Sequence, residues 1–600
     1  MDQRRPSRGP STGVKQCPAG DYTDRSGTIS IPCGSQCESG GDSGRQRSMR
    51  KYSNYHFFGF SWQPSDGCQM TAGRRLLLFL DGTWNEDAAH DRDTNVVRLR
   101  DTISNGVTSG FRVPRSIDEF DKWDREAVEF GACPYRGCIY FTFYERGVGT
   151  GPGLDRLSGG ALGWGVERNV RRAYRFLSRH YIPGSEIFIF GFSRGAHAAR
   201  SLVGFLGSAG LLRAENCTIE LEKQAWDYYR TSPNDRMPGI RTELGRYVYP
   251  ALRVACLGVF DSVATLGVPI NSFWRLNRQR HEFHDVLLSP LVKLNLHALA
   301  IDETRVQFRA SVWRQSKFRV SNSVTEQTWF PGTHSDIGGG YFSDQERDSG
   351  PRRLDDVPLD WMLKRILYHY PDFPIREPGF VPLPGAAVEP SILHNSRTGH
   401  YRVFPPVIRT IGNRRPPLLV RERPVSYERD EAVVGESIHI SALERLATRP
   451  ACESKMYLPR NLIVHLPNLW QRYCIAPGRA WDSDAVSITI WDGHPVLPGI
   501  GKENSKDAAA LNQVQKALVD AISRLKELGY DVLSENEKWN PAAVVLTLAS
   551  GKKAPKSFLG RCLSTVLCQR IEPRTPLMKA IKNLPRSVRN FLALRYRRSK

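Results

Sequence analysis

No apolar run in the 600 residues reaches the roughly 18–20 residues that a membrane-spanning helix requires. The opening MDQRRPSRGPSTG has no apolar core of the kind found in a signal peptide. The 12 cysteines form no Cys-x-x-Cys. Their close pairs, Cys33 and Cys37, Cys133 and Cys138, Cys562 and Cys568, do not combine with histidine at zinc-ligand spacing. Reduced thiols are therefore expected, with neither a metal nor an organic cofactor. No segment repeats with a period of roughly 20–50 residues, which excludes solenoids and propellers. GVGTGPG at 147–153 lacks Gly-Lys-Ser/Thr, and Pro152 occupies the last glycine position of a dinucleotide fingerprint, so a phosphate loop is excluded there. These absences lead us to expect a chain made without a membrane anchor, cytoplasmic or peripheral to a membrane, and compatible with export by a signal-less secretion system.

What is present is globular in balance: 40% apolar, 10% aromatic and 24% charged, which excludes disorder along the whole chain. The 84 Lys+Arg against 62 Asp+Glu leave a net +22, a figure that raises nucleic acid or an anionic membrane as a partner. Its placement decides between them. Residues 551–600 alone hold 14 basic residues and a single acidic one, Glu572, whereas residues 71–550 are close to balanced. No nucleic-acid-binding fold accompanies the charge, so no nucleic acid is expected. In PLMKAIKNLPRSVRNFLALRYRRSK (576–600) apolar residues recur every three or four positions between Lys and Arg, which suits contact with an anionic membrane surface, although Pro585 interrupts the helix.

Texture divides the chain. Residues 1–70 are rich in Gly, Ser, Pro and Arg without periodicity, and are expected to be a disordered extension, with Met49 and Met70 as alternative starts. From residue 71 to 343 continuous apolar runs, RRLLLFLDG (74–82), CIYFTFYERG (138–147), EIFIFGFS (186–193) and RVACLGVFDS (253–262), alternate with helical patterns. Continuous runs suit strands buried on both faces, and the alternation predicts an α/β fold with a mostly parallel sheet and helices on both sides. Residues 344–500, rich in Pro and Arg, read as a helical and loop-rich elaboration of that core. Residues 501–550 hold a surface helix over 506–529, and 551–600 form the basic tail.

The chemistry-bearing feature is GFSRG at 191–195, directly after the strand EIFIF and directly before the helix AHAARSL. Gly-x-Ser-x-Gly in this strand–turn–helix setting is a nucleophile elbow. It presents Ser193 on a tight turn, with Gly191 and Gly195 allowing close approach of the neighbouring backbone. The helix dipole beneath favours developing negative charge. A serine needs a base, and the base an orienting acid, in the order Ser, acid, His for this architecture. Asp261 follows the apolar run CLGVF, and His334 lies in the glycine-rich stretch WFPGTHSDIGGGY (329–341). Asp336 and Asp81 compete with Asp261 as the acid; Asp336, two residues from His334, reads more readily as shaping the loop. His297 falls in a helical pattern and reads as structural, and His197 reads as packing beneath the elbow. LDGTWN (80–85), with Asp81, Gly82 and Thr83, is either an oxyanion and substrate loop, its N–H groups joining that of Arg194, or a plain strand exit.

FLDGTWN, YERGVGT, GFSRGAHAAR, VFDSVATLG, HALAIDETR and WFPGTHSDIGGGY follow one another in a single order. So arranged, the chain resembles the α/β-hydrolase domain family named after type VI secretion phospholipase effectors of the Tle type. The likeness extends over roughly residues 74–475 through LDDVPLDWM (354–362) and SIHISALERL (437–446). Around the acid, Phe260, Asp261, Ser262 and Val263 stand where the family more often has Trp-Asp-Thr-Val. The resemblance implies Ser193 as nucleophile, Asp261 as acid and His334 as base. It also implies a phospholipase or related carboxylester hydrolase acting on a lipid ester. The competing expectation is a non-catalytic or membrane-associated binding protein that keeps the hydrolase sheet.

Overall fold

The computed structural model describes residues 56–57, 60–61, 73–82, 92–107, 128–135, 138–145, 159–263, 287–314, 323–343, 353–375, 391–412, 423–425, 433–449, 456–477, 486–497 and 505–528. The chain divides into two units, Met1–Ala72 and Gly73–Lys600. In the first, β1 (His56–Phe57) and β2 (Phe60–Ser61) pair antiparallel. The expected disorder of 1–70 falls almost wholly outside the described residues. The basic tail at 551–600 and the loop 147–153 lie wholly outside them.

The second unit is built on one ten-stranded sheet. Its strands in chain order are β3 (Gly73–Leu80), β5 (Val128–Tyr135), β6 (Cys138–Glu145), β7 (Glu186–Phe192), β8 (Val254–Phe260), β9 (Val292–Ala300), β10 (Val324–Phe330), β14 (Glu436–His439), β15 (Ser487–Thr489) and β16 (Pro495–Val496). The spatial order is β16-β15-β14-β10-β9-β8-β7-β3-β6-β5. Only the edge pairs β5–β6 and β15–β16 are antiparallel. Outside the sheet, β4 (Arg92–Thr94) pairs antiparallel with β11 (Gly339–Ser343), and β12 (Val407–Arg409) pairs parallel with β13 (Arg423–Val425). The fold is α/β with a mostly parallel sheet.

Each central strand is apolar without interruption because both of its faces are covered. Along β3, Leu76, Leu78 and Leu80 enter one core with α2 (Gly159–His180), α3 (Ser193–Ala209) and α4 (Ile219–Arg230). Leu77 and Phe79 enter the opposite core, with α1 (Asn95–Val107) and the helix Asp356–His369. The period of two thus distributes one continuous run between two layers. Full burial of each such side chain contributes about 1.5–3 kcal/mol.

The chain lays β6 and β5 on one side of β3, then crosses to place β7 on the other. Crevices outside the carboxyl ends of strands at such a switch point are where open α/β sheets bind ligands. The turn from β7 into α3 lies at this point, with Gly191 paired to Leu80.

Two expectations are corrected. Residues 344–500 are more than an elaboration, because β14, β15 and β16 continue the main sheet beyond β10. Strands of two to four residues carry too little periodicity to be read from sequence. His297 lies within strand β9, not in a helix. A run buried on both faces mimics a buried helix, and only its tertiary partners separate the two.

The helix Ser505–Glu527 closes the far edge. Val514, Leu518, Ala521 and Leu525 pack with Leu443, Leu466 and Tyr473 into a third core. Among the described residues no helix is long and apolar enough to cross a membrane. Leu518 is fully buried there, so Leu518→Ala should lower stability by about 2–5 kcal/mol in urea unfolding. A change within about 0.5 kcal/mol would mean that this helix is only a surface appendage.

Candidate active site

Strand β7 ends at Phe192 in extended backbone, with φ −125° and ψ 140°. Ser193 then takes φ +57°, a left-handed conformation rare for a residue with a side chain. That reversal lets α3 start at once. The price is close backbone contact, which glycine alone accommodates. A Cβ on Gly191 would lie 2.6 Å from Gly195 O, and one on Gly195 would lie 2.0 Å from Leu80 O. The elbow is therefore pressed against the end of β3 as well as strained in itself.

Ser193 Oγ lies 2.8 Å from His334 Nε2, and His334 Nδ1 lies 2.6 Å from Asp261 Oδ2. All three residues are buried. They come from the ends of three elements: β7, β8, and the short helix His334–Gly338 that follows β10. Thr333 and Asp336 form a capping box at that helix, with Thr333 N–H and Oγ donating to Asp336 Oδ2 at 2.8 and 2.9 Å. Asp336 also meets His394 Nδ1 at 2.5 Å. As the competing acid, Asp336 is thus engaged in holding the backbone that carries His334.

The His334 ring packs against those of Phe192 and Phe308, with centroids at 4.7 and 4.8 Å. Phe192 occupies its place because residue 338 is glycine; a Cβ there would come within 2.0 Å of the Phe192 ring. The His334 N–H donates to Glu303 Oε2 at 3.3 Å, and Arg305 pairs with Glu303 at 2.8 Å.

Asp261 has φ +38° and no exposed surface. Burial by itself would raise its carboxyl. The Arg409 guanidinium and the His334 ring overcome that effect and hold it well below the usual carboxylate range. Arg409 Nη1 donates to Oδ1 at 2.6 Å and Nη2 to Oδ2 at 3.0 Å. A carboxylate so held only accepts, so His334 Nδ1 carries the proton and Nε2 accepts from the Ser193 hydroxyl. His334 also titrates below its ordinary value, because burial outweighs the hydrogen bond it donates to Asp261. The two partners move in the same direction for different reasons: one is held by a cation and the other is desolvated.

The remaining expected residues fall elsewhere. Asp81 does not approach His334. It accepts from Thr94 Oγ at 2.9 Å and Tyr144 OH at 3.0 Å, and burial raises its carboxyl to about 6. The Gly82 N–H, expected to join an oxyanion site, donates instead to Asp81 Oδ1 at 2.7 Å. What Gly82 contributes is space, since a Cβ there would lie 3.2 Å from Ser193 Cβ. Thr83 lies outside the described residues. Arg194 is half-buried beside Tyr401, and burial pushes its guanidinium down to about 10. Its N–H belongs to the first turn of α3, whose donors have no intrahelical partners. His197 is buried on α3. His297 Nε2 accepts from Ser262 N–H at 3.1 Å, and its titration is pushed down to about 3 by burial.

Sequence reading missed Arg409, Glu303, Arg305 and Phe308. Glu303 and Arg305 stand in HALAIDETR, where an acidic pair directly after a strand is a visible signal. Arg409, in FPPVIRTIG, is one of 84 basic residues and carries no local mark.

Residues 74–365 match the family model described as "T6SS, Phospholipase effector Tle1-like, catalytic domain". An uncharacterised protein of Saccharomyces cerevisiae, YEL023C, is 24% identical over 253 residues, which cover 40% of this chain and 32% of that one. The chain therefore spans about a third of the length of that curated relative. Among solved structures, an uncharacterised protein from Pseudomonas aeruginosa is 18% identical with a TM-score of 0.31, over 51% of this chain and 47% of that chain. The Tle1 effector bound to the VgrG spike from the type 6 secretion system is 19% identical with a TM-score of 0.25, over 49% and 56%.

Because a Cβ at 195 would clash with the backbone of both Leu80 and Asp81, Gly195→Ala should destabilise the second unit by at least about 1–3 kcal/mol. Urea unfolding checks this; a transition unchanged from the parent would mean that the elbow has room to spare.

Proposed function

We propose that the Tle1-like catalytic domain carried by residues 74–365 is a serine acyl hydrolase that cleaves a carboxylic ester of a phospholipid or related lipid. Ser193 is the nucleophile, His334 the general base and Asp261 the acid that orients it. The observation that carries this reading is the line of two hydrogen bonds, 2.8 and 2.6 Å, from Ser193 Oγ through His334 to Asp261. The description of the matching family as a phospholipase effector supports the lipid substrate.

The chemistry follows from the protonation states. His334 Nε2 takes the hydroxyl proton as Ser193 Oγ bonds to the ester carbonyl carbon. The carbonyl electrons move to oxygen, and the oxyanion meets the N–H of Arg194 and the positive end of α3, each donor contributing about 2–4 kcal/mol to the barrier. Collapse expels the alcohol, which takes its proton from His334, and leaves an acyl-Ser193. Water, deprotonated by the same imidazole, then releases the carboxylic acid and restores the serine. No step calls on a metal or organic cofactor.

The rings of Phe192 and Phe308 packed against His334 help to desolvate the imidazole. Among the described residues no carboxylate pairs with Arg194. A half-buried cation beside the nucleophile suits an ester whose alcohol portion carries a phosphate.

Ser193→Ala should abolish release of fatty acid from a phospholipid panel and abolish labelling by a fluorophosphonate, with the unfolding transition kept. Equal hydrolysis by variant and parent would sink the mechanism. The base must be neutral to work, and His334 titrates below its ordinary value. Activity should therefore be present above an acid limb that lies under about pH 6.5, and be lost as pH falls through it. A limb of kcat/KM well above that value would contradict the assignment of His334 as a desolvated base.

A further inference from the structure

The second arm of the Asp261 carboxylate is held from a part of the chain outside the matched domain. Arg409 ends strand β12, which is anchored by the Val407 N–H to Thr304 O at 2.9 Å. Its side chain has no exposed surface, and neither has that of Asp261. Besides its two bonds to the carboxylate, Nη1 donates to Ala300 O at 2.9 Å and Nη2 to Phe308 O at 2.6 Å. The guanidinium thus grips both carboxylate oxygens with its two terminal nitrogens, and its position is fixed by the backbone of residues 300–308. Phe308, whose carbonyl it binds, lays its ring against His334. A lysine has no rigid fork to make this pattern.

We propose that Arg409 is the positioning residue of this site: it fixes the plane of the Asp261 carboxylate, and its charge sets the pH range over which His334 serves as base. The inference rests on the serine mechanism above and adds to it that the chain beyond residue 365 completes the active site. The electrostatic reason is direct. Asp261 and His334 titrate as a coupled pair, in which the proton that silences the base is taken up at His334 Nε2, and a cation beside the pair disfavours that uptake. Removing the cation makes the pair take that proton at higher pH.

The other charged groups facing the pair are accounted for. Glu303 accepts from His334 N–H and is compensated by Arg305. His297, behind Ser262, is kept neutral by burial. Arg200 reaches Ser262 Oγ at 3.2 Å, and Asp336 is paired with His394. Each has a partner of its own, whereas Arg409 directs both of its terminal nitrogens to Asp261.

The test is the pH dependence of fluorophosphonate labelling at Ser193 in the full chain, which needs no knowledge of the natural lipid. Arg409→Met should move the acid limb up by about one to three units. Arg409→Lys, which keeps the charge and loses the fork, should leave the limb near that of the parent while slowing the plateau by up to about 100-fold. Dilute guanidinium should restore part of the plateau in Arg409→Ala. Circular dichroism and thermal melting report whether each variant folds, and if the Met variant does not fold, the Lys variant and the guanidinium rescue decide. An Arg409→Met limb and plateau equal to the parent's would overturn the proposal. So would a plateau lost in all three variants with no rescue, which marks a structural role alone. Absence of labelling in the parent would sink the serine mechanism itself, a result distinct from labelling with an unshifted profile.

Discussion

The close approach of α3 to the end of β3 governs this molecule. Gly195 lies so near Leu80 O that no side chain fits between them, and the chain can make that approach only by turning through a left-handed serine. Strain at one residue is stable only when the surroundings over-determine it. Here the surroundings are the parallel ladder of β7 with β3 and β8, and the buried face of α3 carrying Leu202, Phe205 and Leu206. Packing of the two layers holds the hydroxyl of Ser193 at the crevice, and the geometry of every other residue in the site is measured from there.

Charge forms the second constraint. A carboxylate and a guanidinium without exposed surface are each expensive to take out of water, and the pair persists because both carboxylate oxygens and both terminal guanidinium nitrogens are hydrogen-bonded. Asp261 receives the Ala300 N–H and both nitrogens of Arg409, and gives its remaining direction to His334. Removing one partner of such a pair typically costs about 3–5 kcal/mol, because the other is left buried and unpaired. Stability and the proposed chemistry therefore draw on the same contacts. The segment after residue 365 is tied into the centre of the fold both by this pair and by the strands β14 and β15.

Legibility in the sequence followed the range of the interactions. The elbow is five consecutive residues whose types are dictated by local sterics, so GFSRG was readable. Asp261 and His334 were readable as residues that follow apolar runs in a required order, although Asp81 and Asp336 were chemically equal competitors until their partners were known. The two readings of LDGTWN stayed open in the sequence because an N–H group can turn to its own neighbour's side chain, as Gly82 does to Asp81, and nothing in LDGTWN tells which way it turns. His297 was placed in a helix because a strand covered on both faces loses its alternation. Arg409 was invisible: its partner lies 148 residues away, and burial, not residue type, distinguishes it from the other basic residues.

By itself the sequence determined the α/β class, the position of the strained serine turn and the chemical types available around it, because these depend on short-range sterics and on the burial of apolar runs. It also located the charge excess in the tail, away from the balanced body of the chain. Only the tertiary structure decided which acid meets His334, which donor is already occupied, and that a distant arginine closes over the carboxylate. Those outcomes are set by packing between segments far apart in the chain, where a shift of about an ångström exchanges one hydrogen-bond partner for another.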